Sequence, residues 1–126
     1  MRKRELREIL KIKRKYFGEV LRAHADNCIS EYFFAEFGGY NSFFIYNSLP
    51  SEAGTKQITD TLLQNGKRVF LPRTEGKNIV AVPYDKGVQI VKSSYGIGEP
   101  AGASSDETAD VTVTPLLGIN SRGYRI

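Results

Sequence analysis

The sequence holds one cysteine, one histidine, one methionine and no tryptophan in 126 residues. A single cysteine, Cys28, excludes a disulfide framework and a multi-cysteine zinc site. His24 lies four positions before Cys28, a spacing that two metal ligands on a helix can have. A zinc site needs three or four ligands, however, so we interpret both residues as part of a buried apolar stripe. With one histidine, a catalytic Ser-His-Asp or Cys-His arrangement also has little support.

Long apolar runs and the common nucleotide-binding loops are absent as well. No run approaches the roughly 20 residues of a membrane-spanning helix, and the N-terminus lacks the apolar core of a secretory signal, so we expect a cytoplasmic protein with no membrane partner. The phosphate-binding pattern G-x-x-x-x-G-K-[ST] does not occur. Gly96-Ile97-Gly98 is followed by Glu99-Pro100, where a dinucleotide-binding fold would begin a helix, so that fold is not indicated.

Positive charge is concentrated at the start of the chain. The formal net charge is +4, but residues 1–15 carry eight Lys and Arg against two Glu, which leaves −2 on the other 111 residues. Lys3 and Arg7 are four apart and share a helix face, so together they can clamp a polyphosphate. A solvated basic surface, or one that lies on nucleic acid, explains the same charge. The charge pattern alone leaves these alternatives open.

Residues 3–37 have the periodicity of helix. We expect either two helices that meet near residues 15–19, where Gly18 interrupts the pattern, or one kinked helix, and Gly38-Gly39 ends the region. The apolar positions at spacings of three and four predict one buried stripe along this segment. Its members are Leu6, Ile9, Leu10, Phe17, Val20, Leu21, His24 and Cys28.

The middle of the chain reads as a strand, a helix and a second strand. Residues 41–46 form the first strand, Thr55 is the N-cap of a helix that ends at Asn65-Gly66, and residues 67–71 form the second strand, which Pro72 stops. Strand, crossover helix and strand within about 30 residues predict a parallel pair.

The remainder completes an α/β domain. Short strands are predicted at residues 79–82, 88–91 and 111–114, and the Gly- and Ser-rich residues 93–110 are predicted to be loop. The fold class is therefore α/β, one domain over residues 1–126, with a mostly parallel central sheet flanked by helices and a basic N-terminal helical segment. A parallel sheet needs helices on both faces, and none follows the last strand. We therefore expect the domain to be incomplete at its C-terminus.

Three residues have the chemistry to hold a flat, polar ring. Glu52 follows the first strand and precedes a helix, in the crevice where open α/β sheets bind ligands. Its carboxylate can accept two hydrogen bonds from an amino-pyrimidinone edge, or it can cap the helix, and the sequence does not decide between these roles. Tyr46 and Tyr95 can stack on a heteroaromatic ring or serve only in packing.

Six motifs, in order, resemble the 5-formyltetrahydrofolate cyclo-ligase family, also called methenyltetrahydrofolate synthetases. Each motif is weak alone, but together they cover essentially the whole chain with family-like spacing. They are K-x-x-L-R at 3–7, an aromatic strand leading to S-E-x-x-T at 51–55, G-K-x-V-x-x-P-R at 66–73, Y-G-I-x-E-P at 95–100, D-x-x-x-x-P at 110–115 and G-x-R-[LI] at 123–126.

The resemblance implies ATP- and magnesium-dependent cyclisation of 5-formyltetrahydrofolate to 5,10-methenyltetrahydrofolate, with release of ADP and phosphate. Phosphorylation of the formyl oxygen makes an iminium phosphate, which the neighbouring N10 attacks; such catalysis is mostly positioning and charge neutralisation. By the same resemblance, the folate contacts are Tyr46, Asn47, Glu52 and Tyr95. The ATP contacts are Lys3, Arg4, Glu5, Leu6, Arg7, Arg125 and Ile126.

The sequence departs from the family pattern in two places. Ala53-Gly54 stands where members often have Val-Asp. Members also continue after the arginine equivalent to Arg125 with a glycine-rich G-x-G-x-G-Y-Y-D stretch, which holds phosphates and supplies an aspartate for magnesium. We therefore expect a truncated chain with no metal ligand of its own.

Two alternatives to the enzyme remain. The first is a non-catalytic folate-binding remnant, and the second, disfavoured by the acidic remainder of the chain, is a nucleic-acid-binding module that uses the basic helix. The expected partner is 5-formyltetrahydrofolate, with or without a polyglutamate tail. We expect a monomer that binds no nucleic acid.

Overall fold

The N-terminal segment forms two helices in a computed structural model that describes residues 2–126. Helix α1 spans Lys3–Lys15 and α2 spans Glu19–Phe37, with Gly18 as the N-cap of α2. The prediction of two helices meeting near residues 15–19 is therefore confirmed. At the start of α1, the Glu5 carboxylate accepts a hydrogen bond from the Arg2 backbone N–H at 3.2 Å, which satisfies one of the unpaired donors of the first turn.

The predicted buried stripe along these helices is wrong. The side chains of Phe17, Val20 and Leu21 are 43%, 84% and 59% exposed. His24 and Cys28 are exposed too, although their ring Nε2 and Sγ atoms lie 3.6 Å apart. Helix α2 buries only its second half, through Ser30 and Phe33. Periodicity identifies a helix with an apolar face, but whether that face is covered depends on what packs against it.

The central sheet has four strands in the order β3-β2-β1-β6. Strand β1 pairs in parallel with β2 and with β6, and the β2–β3 pair is antiparallel. A separate antiparallel pair joins β4 and β5. The predicted α/β class with a mostly parallel sheet is confirmed, as is the β1–α3–β2 crossover. The elements after α2 are β1 (Ser42–Ile45), α3 (Lys56–Gln64), β2 (Arg68–Glu75), β3 (Asn78–Tyr84), β4 (Ile90–Lys92), β5 (Gly98–Pro100) and β6 (Val111–Val113).

Two strand predictions are corrected. Strand β2 continues through Pro72 to Glu75, because β1 pairs with it only as far as Phe70. Beyond that point β3 is the only described strand that pairs with β2, and proline, which lacks an N–H donor, is tolerated at a strand edge. Part of the predicted loop 93–110 forms β5, whose Gly98 and Pro100 pair with β4 despite being poor strand formers.

The core lies between the sheet and the helices. Phe43, Ile45 and Leu62 are fully buried, and Phe33 of α2 packs on Phe43 with 5.8 Å between ring centroids. Asp110 holds the start of β6 against β1, because its carboxylate accepts backbone N–H bonds from Asn41 and Ser42 at 3.1 and 3.2 Å. Among the described helices, none is both long and apolar enough to cross a membrane.

Candidate ligand-binding site at the carboxyl ends of the parallel strands

The loop that leaves β1 is fixed by two side chains that bond to each other's backbone. The Thr55 hydroxyl donates to the Tyr46 carbonyl at 2.8 Å and accepts from the Ser48 N–H at 3.2 Å. The Ser48 hydroxyl accepts from the Thr55 N–H at 3.1 Å. Thr55 is the N-cap residue of α3, as predicted, but its side chain is only 3% exposed and stabilises the loop instead of capping the helix. This ordered loop carries the polar residues of the site.

Glu52 stabilises a turn within that loop. Its backbone N–H donates to the Leu49 carbonyl at 3.0 Å, and the Leu49 N–H donates to its Oε1 at 2.8 Å. Helix α3 begins four residues later, so the carboxylate caps the turn and not the helix. Within residues 2–126 only Oε1 is engaged in this way, which leaves Oε2 available to a ligand.

An apolar cavity of about 340 Å³ lies beside Glu52, at the carboxyl ends of β1 and β6. This position in an α/β sheet is where ligands bind, and an apolar slot with a few convergent polar groups is the usual form of a small-molecule site. The walls are apolar and include Phe44, Leu49, Ile79, Ile97 and Val113, and the polar groups are Tyr46, Asn47, Glu52, Thr74, Glu99, Thr114 and Arg125.

The β4–β5 hairpin forms one side of this apolar cavity. The Asn47 side-chain amide donates to the Gly98 carbonyl at 3.2 Å, and the Glu99 carboxylate accepts from the Thr74 N–H at 2.7 Å. These bonds place β5 across the opening and leave the Asn47 amide oxygen free to accept from a ligand. The predicted contact residue Tyr95 lies in the turn of the same hairpin, 80% exposed and not among the lining residues.

A smaller cavity of about 110 Å³ adjoins the apolar one and is strongly basic. We call it the cationic cavity. It shares Glu52, Pro115 and Arg125 with the apolar cavity. Its other lining residues are Arg7, Lys11, Arg14, Leu116 and Leu117, so four cations surround a single carboxylate. Such a pocket favours an anion, because the cations are close together and one wall is apolar.

The last residues of the chain close the cationic cavity against α1. The Ile126 N–H donates to the Gly118 carbonyl at 2.9 Å, and Ile119 and Arg125 form an antiparallel bridge. A Cβ atom at Gly118 would lie 2.9 Å from Leu10 Cδ1, so this segment packs closely against α1 and a larger residue there would displace the end of the Leu10 side chain. The approach brings Arg125 to the same pocket as Arg7.

The predicted ATP contacts are brought together only in part. Arg7 and Arg125 line one cavity, Leu6 and Ile126 are partly buried but are not among its lining residues, and Lys3, Arg4 and Glu5 are exposed at the first turn of α1. Sequence reasoning missed Lys11 and Arg14. The signal was present, since Lys3, Arg7, Lys11 and Arg14 are spaced four, four and three apart and share one face of the helix.

Tyr46 is partly buried and lines the apolar cavity. Its hydroxyl donates to the Ala53 carbonyl at 2.7 Å. Burial, with smaller contributions from the Glu52 and Asp26 carboxylates, raises the pKa of Tyr46 to about 12, against a weaker opposing effect of Arg14. The hydroxyl is therefore neutral at physiological pH and serves as a donor that stabilises the loop.

We expect the free energy of unfolding to fall as the pH rises from 10 to 12, in part through Tyr46. The unfolded chain loses this phenolic proton near pH 10 and the folded chain near 12, so the folded state binds more protons in that interval. Urea unfolding at several pH values from 9 to 12 tests this. Tyr46→Phe should flatten the slope and Tyr40→Phe, at an exposed site, should not. Equal slopes for all three proteins would contradict the shift.

The described residues do not form a metal site of their own. No three His, Cys, Asp or Glu side chains in residues 2–126 are grouped so that they could hold an ion. Glu52 is the one carboxylate that lines the cationic cavity. The donor set therefore fits an anion and not a protein-bound magnesium.

The chain is an α/β protein in which an apolar cavity adjoins a cationic one at the carboxyl ends of the parallel strands. The family comparison is specific. The model of the 5-formyltetrahydrofolate cyclo-ligase family matches residues 1–126, and the chain belongs to that family. A comparison with curated proteins finds no match.

Two similar solved structures show the same fold. The NMR structure of 5,10-methenyltetrahydrofolate synthetase from Aquifex aeolicus has a TM-score of 0.87 and 24% identity, over 99% of this chain and 66% of that one. The 5,10-methenyltetrahydrofolate synthetase from Mycoplasma pneumoniae has a TM-score of 0.74 and 18% identity, over 99% and 70%. The chain thus spans about two thirds of the length of these proteins.

Proposed function

We propose that the chain binds 5-formyltetrahydrofolate in the apolar cavity and the phosphates of ATP in the cationic cavity, and converts the folate to 5,10-methenyltetrahydrofolate with release of ADP and phosphate. The observation that carries the proposal is that the two cavities are joined and share Glu52, Pro115 and Arg125. A formyl group and a γ-phosphate held on either side of these residues would be neighbours, which is the proximity that the reaction needs.

The folate contacts follow from the free acceptors on the loop after β1. Glu52 Oε2 and the Asn47 amide oxygen would accept hydrogen bonds from the N–H groups of the pterin edge, and the Tyr46 ring would pack against the pterin. The apolar walls suit the flat ring system. Contact between Tyr95 and the folate stays a prediction, because that side chain is exposed on the hairpin turn.

The nucleotide contacts come from α1 and the end of the chain. Arg7 and Arg125 would neutralise phosphate oxygens, since guanidinium groups bind them in pairs of parallel hydrogen bonds. Lys3 is one helical turn before Arg7 on the same face and would reach the outer phosphate region. Of the other predicted contacts, Glu5 holds the start of α1, Arg4 is exposed, and Leu6 and Ile126 are partly buried and line neither cavity.

The proposed reaction transfers one phosphoryl group and forms one C–N bond. The formyl oxygen attacks the γ-phosphorus and ADP leaves, which gives the N5 iminium phosphate. N10 then attacks the formyl carbon and loses its proton, and phosphate leaves with the former formyl oxygen. The chain's part is to hold the oxygen at the phosphate and to neutralise charge, as in other phosphoryl transfers. We propose that the reaction depends on magnesium, which the phosphates of ATP would hold.

The test is an assay of the 126-residue chain with 5-formyltetrahydrofolate, ATP and magnesium. We expect near-ultraviolet absorbance from 5,10-methenyltetrahydrofolate, dependent on ATP and accompanied by one phosphate per product. Folate binding in calorimetry without any product would instead support the non-catalytic folate-binding alternative. Steeply salt-dependent binding of arbitrary DNA without folate binding would favour the nucleic-acid module. We further propose that the protein is a cytoplasmic monomer without nucleic-acid partners, which sedimentation and cell fractionation would check.

A further inference from the structure

Arg14 has a buried hydrogen-bond donor with no acceptor. The residue lies in the last turn of α1 and lines the cationic cavity. Its Nε–H is buried and finds no partner among residues 2–126. Nor does its guanidinium belong to the ion pairs of this part of the chain, which join Lys11 to Glu8, Arg68 to Glu107 and Arg73 to Glu75. Buried donors are nearly always paired in native structures, so this one requires an explanation.

The backbone around Arg14 is firmly held. One Arg22 nitrogen, Nη2, donates to the Arg14 carbonyl at 3.0 Å, and the other, Nη1, donates to the Pro50 carbonyl. Arg22 thus ties the end of α1 to the loop that carries Glu52. Because that backbone is fixed, the Arg14 side chain has a defined place at the cavity wall. Lys15, the next residue, is exposed and lines none of the cavities described above.

The cationic cavity has the size and surroundings for one oxyanion group. Its volume of about 110 Å³ is that of a few water molecules at about 30 Å³ each. One wall consists of Pro115, Leu116 and Leu117, and such an apolar wall strengthens the attraction between charges beside it. A guanidinium that presents Nε–H and Nη–H side by side matches two oxygens of a phosphate.

We propose that Arg14 binds the phosphate chain of the nucleotide through its guanidinium group and forms a three-arginine anion site with Arg7 and Arg125. This inference rests on the proposed function and deepens it, because it adds a phosphate-binding residue from the end of α1 to those at its start. In the free chain the Arg14 guanidinium belongs to none of the ion pairs among residues 2–126, and a phosphate group in the cavity supplies the opposite charge. Arg14 therefore contributes to ligand affinity without stabilising the unliganded fold.

Inorganic tripolyphosphate is the probe, titrated into the full chain by calorimetry. Arg14→Met keeps the side-chain length and removes the donors, and it should weaken binding about tenfold or more. Arg14→Lys keeps the charge without the Nε–H and should weaken binding severalfold. Lys15→Met, which removes one charge from an exposed position of the same helix, should change the Kd by less than about twofold. The Tm of the unliganded Arg14→Met chain should be no lower than that of the unmodified chain.

A measurement on the unmodified chain does not depend on the variants folding. In ¹⁵N NMR spectra, the Arg14 Nε–H signal should be visible because it is buried, and it should shift as tripolyphosphate binds to the guanidinium. An unmoved signal at saturating tripolyphosphate overturns the proposal. So do the absence of saturable binding, equal Kd values for Arg14→Met and Lys15→Met, or a lower Tm of Arg14→Met with an unchanged Kd. Arginine-dependent tripolyphosphate binding without methenyl product supports the Arg14 site and contradicts the proposed function, so the two failures are distinguishable.

Discussion

Glu52→Gln should weaken binding of 5-formyltetrahydrofolate by about 100-fold. A hydrogen bond to a charged group contributes roughly 1.5–3 kcal/mol, and glutamine replaces a charged acceptor with an amide whose NH₂ opposes the N–H groups of the pterin. A loss of about 3 kcal/mol corresponds to about a 100-fold change in Kd. The measurement is calorimetric titration of 5-formyltetrahydrofolate into the unmodified and substituted chains.

Glutamine is the informative substitution because Glu52 has two separable roles. Its Oε1 accepts from the Leu49 N–H at 2.8 Å, and the glutamine amide oxygen can keep that bond and the turn. Glu52→Ala loses the turn as well, so it should abolish folate binding and also lower the free energy of unfolding by about 1–3 kcal/mol. Comparison of the two variants separates the ligand contact from the structural one.

The matched control is Glu36→Gln, at an exposed position of α2. It removes the same charge from the molecule, so an effect of net charge on an anionic folate would appear in both variants. We expect its Kd to stay within about twofold of the unmodified value. If Glu52→Gln binds the folate as tightly as Glu36→Gln does, then Glu52 serves only the turn, and the pterin assignment is wrong.

The parts of the fold that local sequence determines were predictable. The run of residues 41–46, the helix between Thr55 and Asn65, and the run of residues 67–71 each have the length and periodicity of one element. Only a right-handed crossover joins such elements compactly. Pro72 was predicted to end the strand. Whether a proline ends a strand depends on whether a neighbouring strand requires an N–H donor at that position. That is a property of the sheet register, which local sequence does not determine.

Some residues of the candidate site could be predicted from the sequence, and others could not. Glu52 follows a strand, and ligands bind at that edge of an α/β sheet, whereas Asn47 was implied only by the family resemblance. Arg7 and Arg125 were predicted from the motif resemblance. They line one cavity because the C-terminal segment packs against α1. Arg14 carried no motif, and its importance lies in a buried donor that is visible only once the cavity is formed. Val20 and Leu21 were predicted to be buried and are exposed, because an apolar pattern does not specify which surface, if any, covers it.

Phe43→Ala should lower the free energy of unfolding by about 3–5 kcal/mol, the usual range for deletion of a buried phenylalanine ring. Phe43 is fully buried in the middle of the parallel pairs, aligned with Val69 of β2 and Val111 of β6, and it packs on Phe33 of α2. Alanine would remove the ring contacts and leave a cavity between the sheet and α2. Urea unfolding followed by circular dichroism measures the change.

The same substitution should also weaken ligand binding, because β1 connects the core to the candidate site. The next residue, Phe44, lines the apolar cavity, and Tyr46 and Asn47 follow at the end of the strand, so a looser β1 would misplace all three. Small domains have only about 5–15 kcal/mol of stability, so we expect Phe43→Ala to bind folate only at low temperature, where enough of the chain is folded. Phe17→Ala, which truncates a ring that is 43% exposed, should cost less than about 1 kcal/mol. Equal losses from both variants would mean that the ring of Phe43 does not lie in the core that supports the site.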